Sequence, residues 1–79
     1  MSILVKLNAS LRKELKGYDP QTGLELAPRP GLTVGMALAE IGLRPEGVKI
    51  IMVNGAAATL AGELRDGDRL GLFPAVGGG

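Results

Sequence analysis

The chain has 79 residues, a formal net charge of +1, no cysteine and no histidine, which excludes disulfides, a thiolate nucleophile, the commonest metal ligand and the usual neutral-pH proton shuttle. One Tyr, one Phe and no Trp leave no base-stacking surface for nucleic acid, and the near-zero charge gives no steering toward polyanions. No apolar run reaches the length of a membrane span and the segment from Met1 to Lys6 lacks a signal-peptide layout, so one small cytoplasmic domain over residues 1–79 is expected, with neither nucleic acid nor membrane as partner.

Ile3, Val5 and Leu7 alternate with Leu4, Lys6 and Asn8, the pattern of a strand with one apolar face. Leu11 to Lys16 has some helical character. The turn residues Gly17, Asp19, Pro20, Thr22 and Gly23 around it predict a long hairpin loop instead. Leu24 and Leu26 flank Glu25 in a second strand, which Pro28 and Pro30 end because neither can donate to a ladder. Thr33 is placed to cap a helix carrying Val34, Leu38 and Ile41, and Gly42 to close it. Val48 to Val53 reads as a continuous apolar strand broken only by Lys49, followed by the turn Asn54-Gly55. Ala56 to Thr59 is a short edge segment, and Leu60 and Leu64 are expected to drop into the core on either side of Gly62. Asp66-Gly67-Asp68 is a turn; two carboxylates without further oxygen ligands make a poor calcium loop. Arg69 to Phe73 forms the last strand.

The order strand, strand, helix, strand, short strand, strand resembles the ubiquitin-like β-grasp, an α+β fold in which a mixed sheet packs on one helix. That resemblance implies that the first and last strands are parallel neighbours. At motif level, Val53 to Gly55, Leu64 to Arg69, and Leu72-Phe73-Pro74 with the closing glycines Gly77, Gly78 and Gly79 resemble the ThiS/MoaD family of sulfur carrier proteins. This family includes the small subunit of molybdopterin synthase and the carrier of thiamine thiazole biosynthesis. Three glycines stand where the family needs two, and Ala75 stands where a second proline is frequent. Phe73-Pro74 leans toward the molybdopterin branch (or its tungsten counterpart).

The resemblance implies a carrier and not an enzyme. A partner adenylating enzyme uses ATP to activate the carboxylate of Gly79, sulfur converts the acyl-adenylate to a thiocarboxylate, and the sulfur passes to a precursor bound by a larger synthase subunit. No cofactor or metal is expected on the chain itself. An α-carboxylate has a pKa of about 3.5 and resists nucleophilic attack as the anion, so the leaving group must come from that partner. Glycine has no Cβ, so Gly77 and Gly78 suit a flexible tail, about 74–79, threading a narrow channel. Ordering three glycines costs roughly 3–6 kcal/mol, so the folded body must supply most of the affinity.

Alternation along the last strand offers the anchor. With Leu70 and Leu72 pointing inward, Phe73 points out together with Arg69 and Gly71. Pro74 and Val76 are expected to extend the apolar patch, and Leu4 to lie beside Phe73 if the first and last strands pair. Whether Ile51 or Met52 faces outward is open, as is whether Phe73 is an anchor or half-buried core. Arg65 and Arg69 are either rim contacts or solvated charges. Two other functions stand beside the carrier: a ubiquitin-like modifier joined to target lysines through the same terminus, and a β-grasp interaction module without tail chemistry.

Overall fold

The computed structural model describes residues 2–74. Its elements are β1 (Ile3–Leu7), β2 (Leu24–Leu26), α1 (Val34–Ile41), β3 (Val48–Val53), β4 (Ala56–Ala57) and β5 (Arg69–Pro74). Short 3-10 turns cover Ala9–Lys13 and Pro45–Gly47. The strands make one sheet in the order β2-β1-β5-β3-β4. Strands β1 and β5 run parallel, and the other three pairings are antiparallel. With one helix against a mixed sheet, this is the α+β arrangement of the β-grasp.

One face of the sheet and the helix share the core. Ile3, Val5 and Leu7 of β1 and Leu70 and Leu72 of β5 meet Val34, Ala37 and Leu38 of α1, with Leu11, Leu32, Leu43 and Leu64 closing the sides. Full burial of each large side chain stabilises the fold by about 1.5–3 kcal/mol. The helix ends follow their residues. Thr33 Oγ1 accepts from the Met36 N–H at 3.2 Å. At the other end Gly42 sits at φ 89°, which lets the Leu43 N–H reach the Leu38 carbonyl at 2.9 Å and the Gly42 N–H reach Ala39 at 3.3 Å. This is a Schellman closure with Leu43 buried against the helix.

Two expectations are corrected in the connections. Leu64 is buried, but Leu60 is 40% exposed and does not enter the core. The carbonyls of Leu60 and Gly62 turn toward the helix start instead and accept from the Gly35 and Val34 N–H groups, both at 2.9 Å. Two orphan donors of a helix N-terminus are satisfied this way, and the Leu60 side chain stays outside. The segment after β1 is also not a plain loop. Asn8 and Leu11 carbonyls accept from the N–H groups of Leu11 and Glu14, winding Ala9–Lys13 into a 3-10 turn that buries Leu11.

Tyr18 fixes the rest of that connection. Its hydroxyl accepts from the Leu7 N–H at 2.7 Å and lies 3.4 Å from the Leu7 carbonyl. β2 stops short of Leu7, so the phenol supplies the partner that a longer strand would have supplied. Gly23 then lets the chain enter β2. At φ 75°, any Cβ there would sit 2.9 Å from the Val5 carbonyl oxygen.

Candidate functional site

The outer face of the sheet, away from α1, centres on β5. Buried Leu70, Leu72 and Pro74 alternate with Arg69, Gly71 and Phe73, which face out. Phe73 lies on the outer face with its ring edge over Gly71 and is half-buried there. Its neighbour on β3 is Ile50, which is 45% exposed. The next pair across the same two strands is Gly71 with Met52. A Cβ at Gly71 would lie 3.7 Å from the Phe73 ring and 3.8 Å from Met52 Cβ. The missing side chain thus leaves a shallow depression between two apolar ones, walled by Lys6, Asn8 and Arg69.

A bulge makes this patch larger than strict alternation allows. The β3·β5 register shifts between Val48 and Ile50, so Lys49 and Ile50 together oppose Phe73. Val48, Ile51 and Val53 then pack against the core. Met52 and Ile50 face out, which decides between Ile51 and Met52. The uninterrupted run Val48–Val53 hides the extra residue, because every position but Lys49 is apolar.

Two of the expected members are displaced. Leu4 does not lie beside Phe73. The parallel register sets Leu4 opposite Arg69 and Leu7 opposite Leu72, so Leu4 is four residues away, about 13 Å along the strand. Asn8 takes that level instead, its N–H and its side-chain Nδ2 both donating to the Leu72 carbonyl at 3.1 and 3.0 Å. Pro74 does not extend the outer patch either. It shares parity with Leu70 and Leu72, is buried, and pairs with Val48. Val76, Gly77, Gly78 and Gly79 lie outside the described residues.

Charge on the outer face is mostly positive. Arg69 and Lys49 are exposed there and form no ion pair among the described residues. Lys6 is tied down, its Nζ donating to the carbonyls of Pro20 and Gln21 at 3.1 and 3.3 Å. Glu25 stands opposite Leu4 on the edge strand β2. Away from this face, the ion pair of Arg29 with Glu40 joins the segment after β2 to the helix, and its hydrogen bond holds the Glu40 carboxyl below the usual carboxylate range.

The entry to β5 is held by a clasp that turn chemistry alone did not reveal. Asn54 Nδ2 donates to Asp68 Oδ1 at 2.9 Å, the Arg65 N–H donates to Asp68 Oδ2 at 2.8 Å, and the Arg69 N–H donates to Asn54 Oδ1 at 2.9 Å. The Asp68 carboxyl is held below its ordinary value, first by the bond from Asn54 and next by that from Arg65. Asn54-Gly55 and Asp66-Gly67-Asp68 both read as turns in the sequence; their mutual pairing needs β3 beside β5. Among the described residues, no cluster of three or more His, Cys, Asp or Glu could hold a metal ion, and no helix is long and apolar enough to cross a membrane.

Fold and face together define a small ubiquitin-like β-grasp protein whose central strand, β5, is the last of its described elements. The chain belongs to the ThiS family, whose model matches residues 5–79. It is similar to the crystal structure of SAMP1 from Haloferax volcanii, at 28% identity over 100% of both chains with a TM-score of 0.70. It is also similar to a Pyrococcus furiosus protein described as molybdopterin converting factor, subunit 1, at 31% identity over 96% of this chain and 99% of that one, with a TM-score of 0.71. The solution structure of Urm1 from Trypanosoma brucei shares the fold, at 22% identity over 99% and 95% of the two chains and a TM-score of 0.69. No curated protein sequence matches.

Proposed function

We propose that this protein is a sulfur carrier whose C-terminal glycine is activated by a partner and converted to a thiocarboxylate, in the service of molybdopterin-type cofactor synthesis. The observation that carries this reading is the joining of two features: membership of the ThiS family, and a central strand, β5, that ends at Pro74, five residues before Gly79. Five extended residues reach at most about 17 Å, enough to place a terminal carbonyl well inside a neighbouring protein while the sheet stays on its surface. Similarity to the Pyrococcus furiosus protein favours the molybdopterin branch over the thiamine one.

The chemistry divides between tail and body. The Gly79 carboxylate oxygen attacks the α-phosphorus of ATP held by an adenylating partner, and pyrophosphate leaves. Hydrosulfide supplied by a partner then attacks the acyl carbon, AMP leaves, and the thiocarboxylate remains. Nothing in these steps requires a His, Cys or metal from this chain. Phe73, Ile50 and Met52 supply an apolar anchor beside the tail's exit, and Arg69 and Lys49 rim it. Intact-mass measurement on protein isolated from its own cells tests the reading. A fraction should weigh more by the replacement of one oxygen with sulfur. Unmodified mass under every growth condition would overturn the carrier role.

Similarity to SAMP1, which the comparison structures describe as a small archaeal modifier protein, favours a second reading. The same activated glycine would form isopeptide bonds with lysines of other proteins. Tail-derived glycine remnants on lysines in a digest of whole-cell protein would establish it alongside sulfur transfer.

A further inference from the structure

Asn54 and Gly55 form the two-residue loop between β3 and β4, both at positive φ, 52° and 83°. Asparagine followed by glycine is the pair at which a backbone amide most readily attacks the preceding carboxamide, since the glycine offers no side chain to block the approach. Nothing lies within 4 Å of the place a Gly55 Cβ would occupy, and the Gly55 N–H donates to no turn or loop acceptor among the described residues. Opposing this, the Asn54 carboxamide is tied at both ends, its Oδ1 by the Arg69 N–H and its Nδ2 by Asp68 Oδ1, each at 2.9 Å.

We propose that Asn54 is a site of self-modification: it deamidates through attack by the Gly55 amide, the clasp to Asp68 and Arg69 restrains that reaction, and its product opens the clasp at the start of β5. In the first step the Gly55 nitrogen loses its proton to solvent base and bonds to Asn54 Cγ. The Cγ–Nδ2 bond breaks, Nδ2 leaves as ammonia, and a five-membered succinimide remains. Water then opens the ring. Addition at Cγ restores the normal chain with an aspartate at this position, and addition at the main-chain carbonyl gives an isoaspartate, with the chain rerouted through Cγ. The net change is one carboxamide and one water for one carboxylate and one ammonium.

The clasp explains both the restraint and the consequence. Rotation of Cγ toward Gly55 must break two hydrogen bonds, one to Asp68 and one to Arg69. Once formed, the new carboxylate keeps an acceptor for the Arg69 N–H but presents its other oxygen to the Asp68 carboxylate, where a donor stood before. Two like charges then face each other at the junction from which β5 starts. The isoaspartate form adds a backbone atom inside a two-residue loop whose two φ values leave no slack.

Peptide mapping of the full chain at mildly alkaline pH and physiological temperature tests the first half. Folded wild-type protein should deamidate at Asn54 about ten- to thirtyfold more slowly than the same chain in urea, the factor expected for two net hydrogen bonds. Asp68→Ala, checked for folding by circular dichroism, should speed the folded-state reaction about three- to fivefold, the share of one of the two bonds. Equal rates for folded and urea-treated wild type overturn the restraint, whatever the variant does. Melting curves test the second half. Asn54→Asp should melt below wild type, and adding Asp68→Asn should restore stability, because the exchanged carboxylate and carboxamide can again satisfy Arg65 and Arg69. An Asn54→Asp protein as stable as wild type, or a double variant no better than the single one, overturns the proposed consequence.

Discussion

Asp68 accepts one hydrogen bond from its own turn, through the Arg65 N–H, and one from the turn across the sheet, through Asn54. Both stabilise the ionised carboxyl and hold it below the ordinary carboxylate value. A group with a lowered folded-state pKa contributes its full stability above the unfolded-state value, about 3.9, and loses it as pH falls through the lower folded value. Urea midpoints of wild type should therefore drop between neutral pH and about pH 3, below the unfolded-state carboxylate value. Asp68→Ala should cost about 1–3 kcal/mol at neutral pH and show a shallower acid dependence. An identical acid slope in the two proteins would mean that Asp68 does not hold the junction. The residue type at 68 was visible as turn chemistry. Its partner across the sheet was not, because residues 54 and 68 meet only when β3 lies against β5.

Among the elements, the connection from β1 to β2 is built from specific bonds that a reading by composition treats as loop. Lys6, Tyr18 and Asp19 each satisfy a backbone group: Lys6 Nζ donates to two carbonyls, the Tyr18 hydroxyl serves Leu7, and Asp19 Oδ1 accepts from the Gln21 N–H at 2.8 Å. Tyr18→Phe leaves the Leu7 N–H without its partner at a part-buried position and should cost about 1–3 kcal/mol. Amide exchange should speed up at Leu7 and through residues 8–23 while the β3–β4 hairpin keeps its protection. Uniform acceleration across the sheet would show that the connection is part of the global unfolding unit. Helix α1 was legible from Thr33 and Gly42 because caps are local chemistry. The bulge at Lys49 was not, since an extra residue in an apolar strand leaves the composition unchanged.

At the scale of the molecule, folding and the proposed function use different parts of one strand. Among the described residues, the buried hydrophobic core runs from Ile3 to Leu72. Deleting Gly78 and Gly79 should therefore change stability by no more than about 0.5 kcal/mol while abolishing sulfur transfer. Phe73→Asp should impair partner recognition instead of the tail chemistry. It places a charge on the outer patch, leaves the fold intact, and weakens binding of the adenylating partner by about tenfold or more. Calorimetric titration of both variants against that partner separates the roles. A Phe73→Asp protein that binds as wild type does would remove the patch from the docking surface. A tail deletion that still transfers sulfur would remove the tail from the chemistry.

The local signals in this chain name its elements and the side that β1 and β5 turn inward, because caps, turns and alternation depend on residues a few positions apart; the inward side of β3 was left open. They also mark the glycine end and the Phe73 approach to it. Assembly of the outer face needed the fold. The parallel β1·β5 register brings Asn8 and not Leu4 to the level of Phe73, the bulge turns Ile50 outward next to it, and parity buries Pro74. Those outcomes depend on which residue of one strand faces which residue of another far along the chain, 64 positions apart in the case of Asn8 and Leu72. Strand register is set by the packing of the whole core, and no short stretch of sequence carries it.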